Sequence, residues 1–332
     1  MGVNIREIVE LRETNLGDLS GKIVAVDAYN TLYQFLSIIR QPDGTPLADS
    51  SGRTTSHLSG LIYRTTNLME AGLKLVFVFD GKPSKLKADV IKARSERREA
   101  AMQKWEEAKV LFPKDAFKYA QASTRIDATI VADAKTLLTF MGIPYVQAPS
   151  EGEAQAAYMA QNGDAELVSS QDYDSLLFGA PITIRNLSSP RKKAKLELVE
   201  LKALENTQGI IREELIDIAI LVGTDFNEGI KGVGVKRARK LIKKHRCIEN
   251  ILKSEAAIDT SAGIENYRLV RELFLHPDVT ESYDELKWGT PDAGKIKELL
   301  CEVHEFSEER VGKALEKVLI RERGQKSIEQ WL

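Results

Sequence analysis

One pattern constrains the fold of this chain more than any other: a short β-branched apolar run that ends in an acid. It occurs as Gly21-Lys-Ile-Val-Ala-Val-Asp27, as Leu73-Lys-Leu-Val-Phe-Val-Phe-Asp80, and as Ala165-Glu-Leu-Val-Ser-Ser170 with Asp172 and Asp174 just beyond. Runs of this length with no polar face read as strands covered on both sides, which is the signature of a parallel sheet packed between helices. Helical spacing fills the intervals, at residues 31–40, 54–71 (capped by Thr54 or Thr55) and 126–142. Tyr145-Val-Gln-Ala148 is a further strand, and 181–187 with 195–199 form a hairpin at the sheet margin, turned at Arg191-Lys-Lys193. The expected class is therefore α/β, a mainly parallel central sheet flanked by helices. Residues 82–123 interrupt it after the second strand. A turn at Gly81-Lys-Pro83 leads into a long charged helical stretch to about 107. A broken pattern with Phe112, Pro113, Phe117 and Tyr119 follows, typical of a mobile cap.

Ligand sites of open parallel sheets lie beyond the C-terminal strand ends. Asp27, Asp80 and Asp172 are all delivered to that edge, and Ala148-Pro-Ser-Glu-Gly-Glu-Ala154 adds Glu151 and Glu153 beside them. Carboxylates converging at one place repel unless cations are held between them. Local readings compete for the same residues: Ser150 and Glu153 fit a helix capping box, and Asp172 suits an Asx turn. The four histidines and two cysteines have no ligand spacing, so any metal is held by oxygen, which favours Mg²⁺ or Mn²⁺ over zinc.

The net charge of −2 hides a segregated distribution. Between Lys82 and Lys104 eight Lys or Arg face three acids, and between Lys231 and Arg246 eight face none. Basic segments beside an acid cluster suit a metal-dependent phosphodiesterase gripping nucleic-acid phosphates; solvated helix faces are the plain alternative. Lys87 and Arg94, seven residues apart, share a helical face within about 20°. Gly232-Val-Gly234 before a basic helix suits a helix-hairpin-helix spanning about 213–245, whose backbone N–H groups and helix N-terminus hold a DNA phosphate. A dinucleotide-binding fingerprint fails there, because Arg237 stands at the third glycine position and no strand precedes it. No membrane span or signal peptide is evident, Arg6 argues against myristoylation at Gly2, and Cys247 and Cys301 suit a reducing compartment.

Several co-ordered motifs resemble a known family. Val78-Phe-Asp-Gly-Lys-Pro83, Arg94-Ser-Glu-Arg-Arg98, Ala148–Ala154, Asp172-Tyr-Asp174 with Leu177-Phe-Gly179, and Gly223-Thr-Asp225 with Gly232-Val-Gly234 are similar to those of the structure-specific 5′ nucleases, above all the archaeal flap endonucleases. The resemblance runs from about residue 20 to the end. Met1-Gly-Val-Asn-Ile5 departs from the family in lacking a following Gly-Leu. The resemblance implies a seven-carboxylate site on Asp27, Asp80, Glu151, Glu153, Asp172, Asp174 and Asp225. It further implies that Lys87 and Arg94 act on the scissile phosphate from a helical arch, with Asp80 and Glu151 beside them in the catalytic set. Tyr33 would stack on the base near the cut, and Gly232, Gly234, Lys236, Arg237 and Lys243 would grip duplex DNA, with K⁺ at the hairpin. The implied activity is cleavage of 5′ flaps by two Mg²⁺, or Mn²⁺, in replication and repair, with 5′–3′ exonuclease activity besides. Residues 1–324 would form one nuclease domain of a monomer that is cytoplasmic and chromosome-associated. The last eight residues, after a helix ending near Arg323 and the breaker Gly324, place Gln325, Ile328, Trp331 and Leu332 at the spacing of a sliding-clamp peptide. A junction resolvase or 5′ exonuclease would share the catalytic residues, and a non-catalytic DNA-binding scaffold would bind DNA irrespective of Mg²⁺.

Overall fold

The computed structural model describes residues 2–111, 113–189, 195–254 and 263–329. Its centre is a seven-stranded sheet in the order β1-β7-β6-β5-β2-β3-β4. The expected strands are present as β2 (Ile23–Asp27), β3 (Lys74–Phe79), β4 (Tyr145–Gln147), β5 (Leu167–Ser169), β6 (Ile182–Arg185) and β7 (Leu196–Glu200), the first five mutually parallel and β7 antiparallel to β6. Strand alternation divides the core between the two faces: Val24, Val26, Leu75, Phe77 and Phe79 enter one apolar cluster, and Ala25, Val76 and Val78 the other. Residues 190–194, including the Arg191-Lys-Lys193 turn, lie outside the described residues.

Four expectations need correction. An additional strand, β1 (Arg12–Thr14), closes the far edge against β7; its Arg-Glu-Thr sequence has no apolar face because it is an outer edge, where charge discourages further pairing. The 54–71 helix is three pieces, Ser56–Gly60, a π-turn Leu61–Thr65 and Thr66–Glu70, and Thr55 at its start makes no side-chain cap. The supposed cap between 109 and 123 contains a regular helix, Pro113–Ala122. Pro113 is suited to a first helical position, where its missing N–H costs nothing. Its Ala116 and Ala120 pack with Trp105 and Ala108 of the preceding helix Ala88–Leu111 into a small separate core. Finally, the last helix runs Glu308–Glu329, through Gly324. A single helical glycine costs about 1 kcal/mol relative to alanine, too little to stop a helix flanked by Arg, Glu, Gln and Lys. Gln325 and Ile328 are therefore within a helix, while Trp331 and Leu332 lie outside the described residues.

The insertion is anchored at its outer end. Trp105 Nε1 donates to the Asp43 carbonyl at 3.2 Å, and Arg40 donates to the Gly44 carbonyl at 2.7 Å and to Thr124 Oγ1 at 2.8 Å. Gly44, at φ 87°, allows this approach: a Cβ there would stand 2.6 Å from Ala120 Cβ. The two helices thus arch over the C-terminal strand ends from a root after β3 to a foothold on the 40–46 loop.

Candidate metal and phosphodiester site

The seven acids do meet. Asp27 ends β2 and caps the helix Ala28–Ile38, its Oδ1 accepting from Asn30 N at 2.9 Å. Asp80 follows β3 and accepts from Gly152 N at 2.6 Å. Glu151 and Glu153 flank that glycine at the start of the helix Gly152–Gln161, Asp172 and Asp174 follow β5, and Asp225 follows the helix Arg212–Val222. Both local alternatives give way here. Ser150 caps nothing: Glu151 holds the N-cap position, and Glu153 accepts instead from Ser170 Oγ. Asp172 makes no Asx turn but takes Asn30 Nδ2 at 3.2 Å, while its own N–H goes to Ser170 Oγ at 3.1 Å.

Burial and mutual repulsion raise the pKa of several of these groups. Desolvation, then the charges of Asp80 and Asp172, lifts Asp27 well above the usual carboxylate range. Glu153 is lifted likewise by desolvation and then by Asp174 and Asp27. Desolvation together with Glu151 moves Asp80 to about 6, and desolvation with Asp225 and Asp172 moves Asp174 to about 7. Two cations from the arch relieve the repulsion. Lys87 pairs with Glu151, and Arg94 Nη2 lies 2.6 Å from Asp225 Oδ1. Burial opposes the Lys87 ammonium, yet Glu151 and the more distant Asp225 and Asp80 outweigh it and raise its pKa. Lys87 belongs to a 3₁₀ turn, Lys85–Lys87, just before the helix that carries Arg94, so the two reach the acids without sharing one continuous helix.

Partners that the sequence did not single out complete the arrangement. Ser170, the Gly152 N–H and the Val3 N–H, which donates to Asp174 Oδ1 at 2.9 Å, each fix one carboxylate, and Asn30 serves two, Asp27 through its N–H and Asp172 through Nδ2. The N-terminus thus packs into the acids; a Cβ at Gly2 would lie 2.5 Å from Asp174 Oδ1. Asn30 was discoverable, being three residues after a strand-terminal acid on a helix, but nothing in a sequence reveals a backbone N–H donor at long range.

The donor chemistry fits a hard divalent cation: oxygen throughout, with negative charge concentrated where burial penalises it. Among the described residues no three acidic, histidine or cysteine side chains converge tightly enough to cage an ion unaided.

Tyr33 is half-buried one turn beyond Asn30 on the helix Ala28–Ile38. Residues 212–245 form two helices, Arg212–Val222 and Val235–His245, joined by a glycine-containing loop. Gly232 has φ 80°, and Gly234 is the N-cap of the second helix. A hollow of about 560 Å³ opens along Gly229–Gly234. Arg237 and Lys243 are exposed on that helix, and Lys236 is paired with Glu7 at 3.2 Å. Among the described residues no helix is long and apolar enough to cross a membrane.

If buried repulsion is the dominant stress, neutralising one acid should relax it. Asp174→Asn retains an acceptor for Val3 N–H, and without divalent ions it should raise the thermal midpoint at pH 8 by a few degrees, about 1 kcal/mol corresponding to roughly 2–4 °C in larger domains. Mg²⁺ should then raise the midpoint of the wild type more than that of the variant. A lowered midpoint for the variant in metal-free buffer would contradict this account.

Comparison with known proteins agrees with the geometry. Residues 2–101 match the XPG N-terminal domain and residues 142–225 the XPG I-region. Flap endonuclease 1 of Methanocella arvoryzae is 55% identical, and that of Archaeoglobus fulgidus 51% identical, each over the full length of both chains. The structure of flap endonuclease-1 from Methanococcus jannaschii superposes with a TM-score of 0.77 at 38% identity, over 96% of this chain and 98% of that one. With acids gathered over a parallel sheet, an arch reaching into them and half or more of its residues shared with full-length relatives, the chain belongs to the flap endonuclease 1 family of structure-specific 5′ nucleases.

Proposed function

We propose that the chain cleaves 5′ single-stranded flaps where they join duplex DNA, with two Mg²⁺ (or Mn²⁺) held by Asp27, Asp80, Glu151, Glu153, Asp172, Asp174 and Asp225. The observation that carries this reading is the docking of Lys87 and Arg94 on Glu151 and Asp225. Two cations already stand at the acid edge, where a phosphate would need them. When bound, the metal ions would lower the pKa of the attacking water and neutralise the leaving 3′ oxygen.

The protein's own part is positional and electrostatic. As a phosphate enters, Lys87 and Arg94 exchange carboxylate partners for phosphate oxygens and stabilise the charge that develops on them. Tyr33, on the helix that Asp27 caps, stacks on the adjoining base. Gly232, Gly234, Lys236, Arg237 and Lys243 grip the duplex, with K⁺ at the glycine loop, and Lys236 gives up Glu7 to do so. Water adds to phosphorus as the bond to the 3′ oxygen breaks, so one product carries a 5′ phosphate and the other a 3′ hydroxyl, with no covalent enzyme intermediate required. Residues 1–324 act as a single nuclease domain in a monomer working at the chromosome, in replication and repair, with exonuclease activity on the same site. Gln325, Ile328, Trp331 and Leu332 dock on a sliding clamp, for which an apolar anchor commonly contributes about 2 kcal/mol or more.

Single-turnover cleavage of a labelled double flap, beside a four-way junction and a blunt duplex, tests the assignment. The flap should be cut fastest. Lys87→Ala or Arg94→Ala should lower its rate by at least about 100-fold. Lys243→Ala should leave the rate of bound substrate alone while weakening binding and flattening its salt dependence by about one unit of slope. Equal effects from both kinds of substitution would undo the division between chemistry and grip.

Removing residues 325–332 should leave unstimulated cleavage nearly unchanged and abolish stimulation by the organism's clamp, since tethering raises local concentration without altering the site. Stimulation that survives the deletion would return the tail to a structural role.

A further inference from the structure

Gln147, the last residue of β4, is exposed, yet both ends of its side chain are engaged. Nε2 donates to the carbonyls of Asp80 at 2.7 Å, Phe79 at 3.2 Å and Ala148 at 3.3 Å, and Oε1 accepts from Lys135 Nζ at 2.7 Å. An ammonium can only donate, so Lys135 dictates which end of the amide faces the carbonyls. Lys135 also lies against two rings, with Nζ 4.8 Å from the Phe79 ring centroid and 5.4 Å from that of Tyr145. Immobilising a surface glutamine and a lysine costs up to about 2 kcal/mol of rotamer entropy each, so a solvated pair would not hold this geometry without several bonds in return.

The three carbonyls lie along the seam where β3 and β4 end. Across it Ala148 N donates to Phe79 O at 2.9 Å, Gly81 N to Ser150 O at 2.7 Å and Lys82 N to Pro149 O at 3.0 Å. The approach is close enough that a Cβ on Gly81 would collide with the Ala148 and Pro149 carbonyls. Asp80 stands on one side of the seam and Glu151 on the other, and Gly152 N holds the Asp80 carboxylate from across it. Gln147 therefore bonds to both sides within a few residues of both acids.

Resting on the reading that Asp80 and Glu151 hold metal ions, we propose that Gln147, oriented by Lys135, is a positioning residue that sets the separation of these two carboxylates. Its loss would loosen ion binding rather than DNA binding. Outer partners of metal ligands typically contribute 10–100-fold to metal affinity or activity.

Gln147→Glu is the informative variant. It preserves shape and the Lys135 contact but turns a donor toward the carbonyls into an acceptor. The measurements are Mn²⁺ affinity by calorimetry without DNA, the Mg²⁺ dependence of single-turnover flap cleavage, flap-DNA affinity and the thermal midpoint. Gln147→Glu and Gln147→Ala should weaken Mn²⁺ binding about 10–100-fold, with cleavage recovering at high Mg²⁺ and DNA affinity unchanged. Lys135→Met should give a smaller loss of the same kind, and it carries the test with Gln147→Ala if the Glu variant does not fold. Wild-type Mn²⁺ affinity in the Gln147 variants, or a rate loss that tracks only loss of folded protein, would overturn the proposal. Asp80→Ala separates the two levels: if it binds Mn²⁺ and cleaves normally, the metal reading itself fails. If Asp80→Ala loses both while Gln147→Glu is unaffected, only the role of Gln147 falls.

Discussion

Like charge that must be buried governs this molecule. Seven carboxylates gather over one edge of a sheet, and Asp27, Asp174 and Asp225 are nearly inaccessible to water. Two such charges about 4 Å apart repel by roughly 4 kcal/mol even at an effective dielectric of 20. A fold that assembles them needs countercharge at every stage, and most of the surrounding architecture supplies it. Asn30, Ser170 and the N–H groups of Gly152 and Val3 present positive dipole ends to individual carboxylates. Lys87 and Arg94 supply full charges.

The same requirement links the arch to the sheet. Its long helix is polar around most of its circumference and has little apolar surface with which to hold itself down. At one end it is tied by ion pairs to Glu151 and Asp225, and at the other by the Trp105 and Ala120 contacts with the 40–46 loop. The inner tie is electrostatic and reversible, since phosphate can take the place of carboxylate. The outer tie is packing, permitted by the missing side chain of Gly44, and need not break. An arch held in this way can yield at its inner face while keeping its foothold.

Much of this was legible in the sequence because strand-terminal acids obey a local rule: a buried apolar run and the residue that ends it report position along a parallel sheet. That was enough to bring Asp27, Asp80, Asp172 and Asp174 together, and the family motifs extended the set to Asp225. What escaped had no local signal. β1 is three charged or polar residues whose pairing with β7 depends on a chain segment more than 180 residues away. The helix Pro113–Ala122 was obscured because its apolar face meets only a small private core. Glu153 was ambiguous, since the same Ser-x-x-Glu spacing serves a capping box, and only the approach of Ser170 from β5 decided against one. Gln147 looked like an ordinary polar residue on an outer strand, as its bonds follow from the strand order rather than from its neighbours.

If the two arch cations stand in for metal charge, they compete with it. The most direct measurement is Mn²⁺ binding to the DNA-free protein by electron paramagnetic resonance, comparing the wild type with a Lys87→Ala, Arg94→Ala double variant. Removing cations from an acid cluster should tighten divalent binding even though the same variant cleaves slowly. Unchanged or weaker Mn²⁺ binding in the double variant would contradict the account, because it would mean that the arch does not neutralise the site it covers.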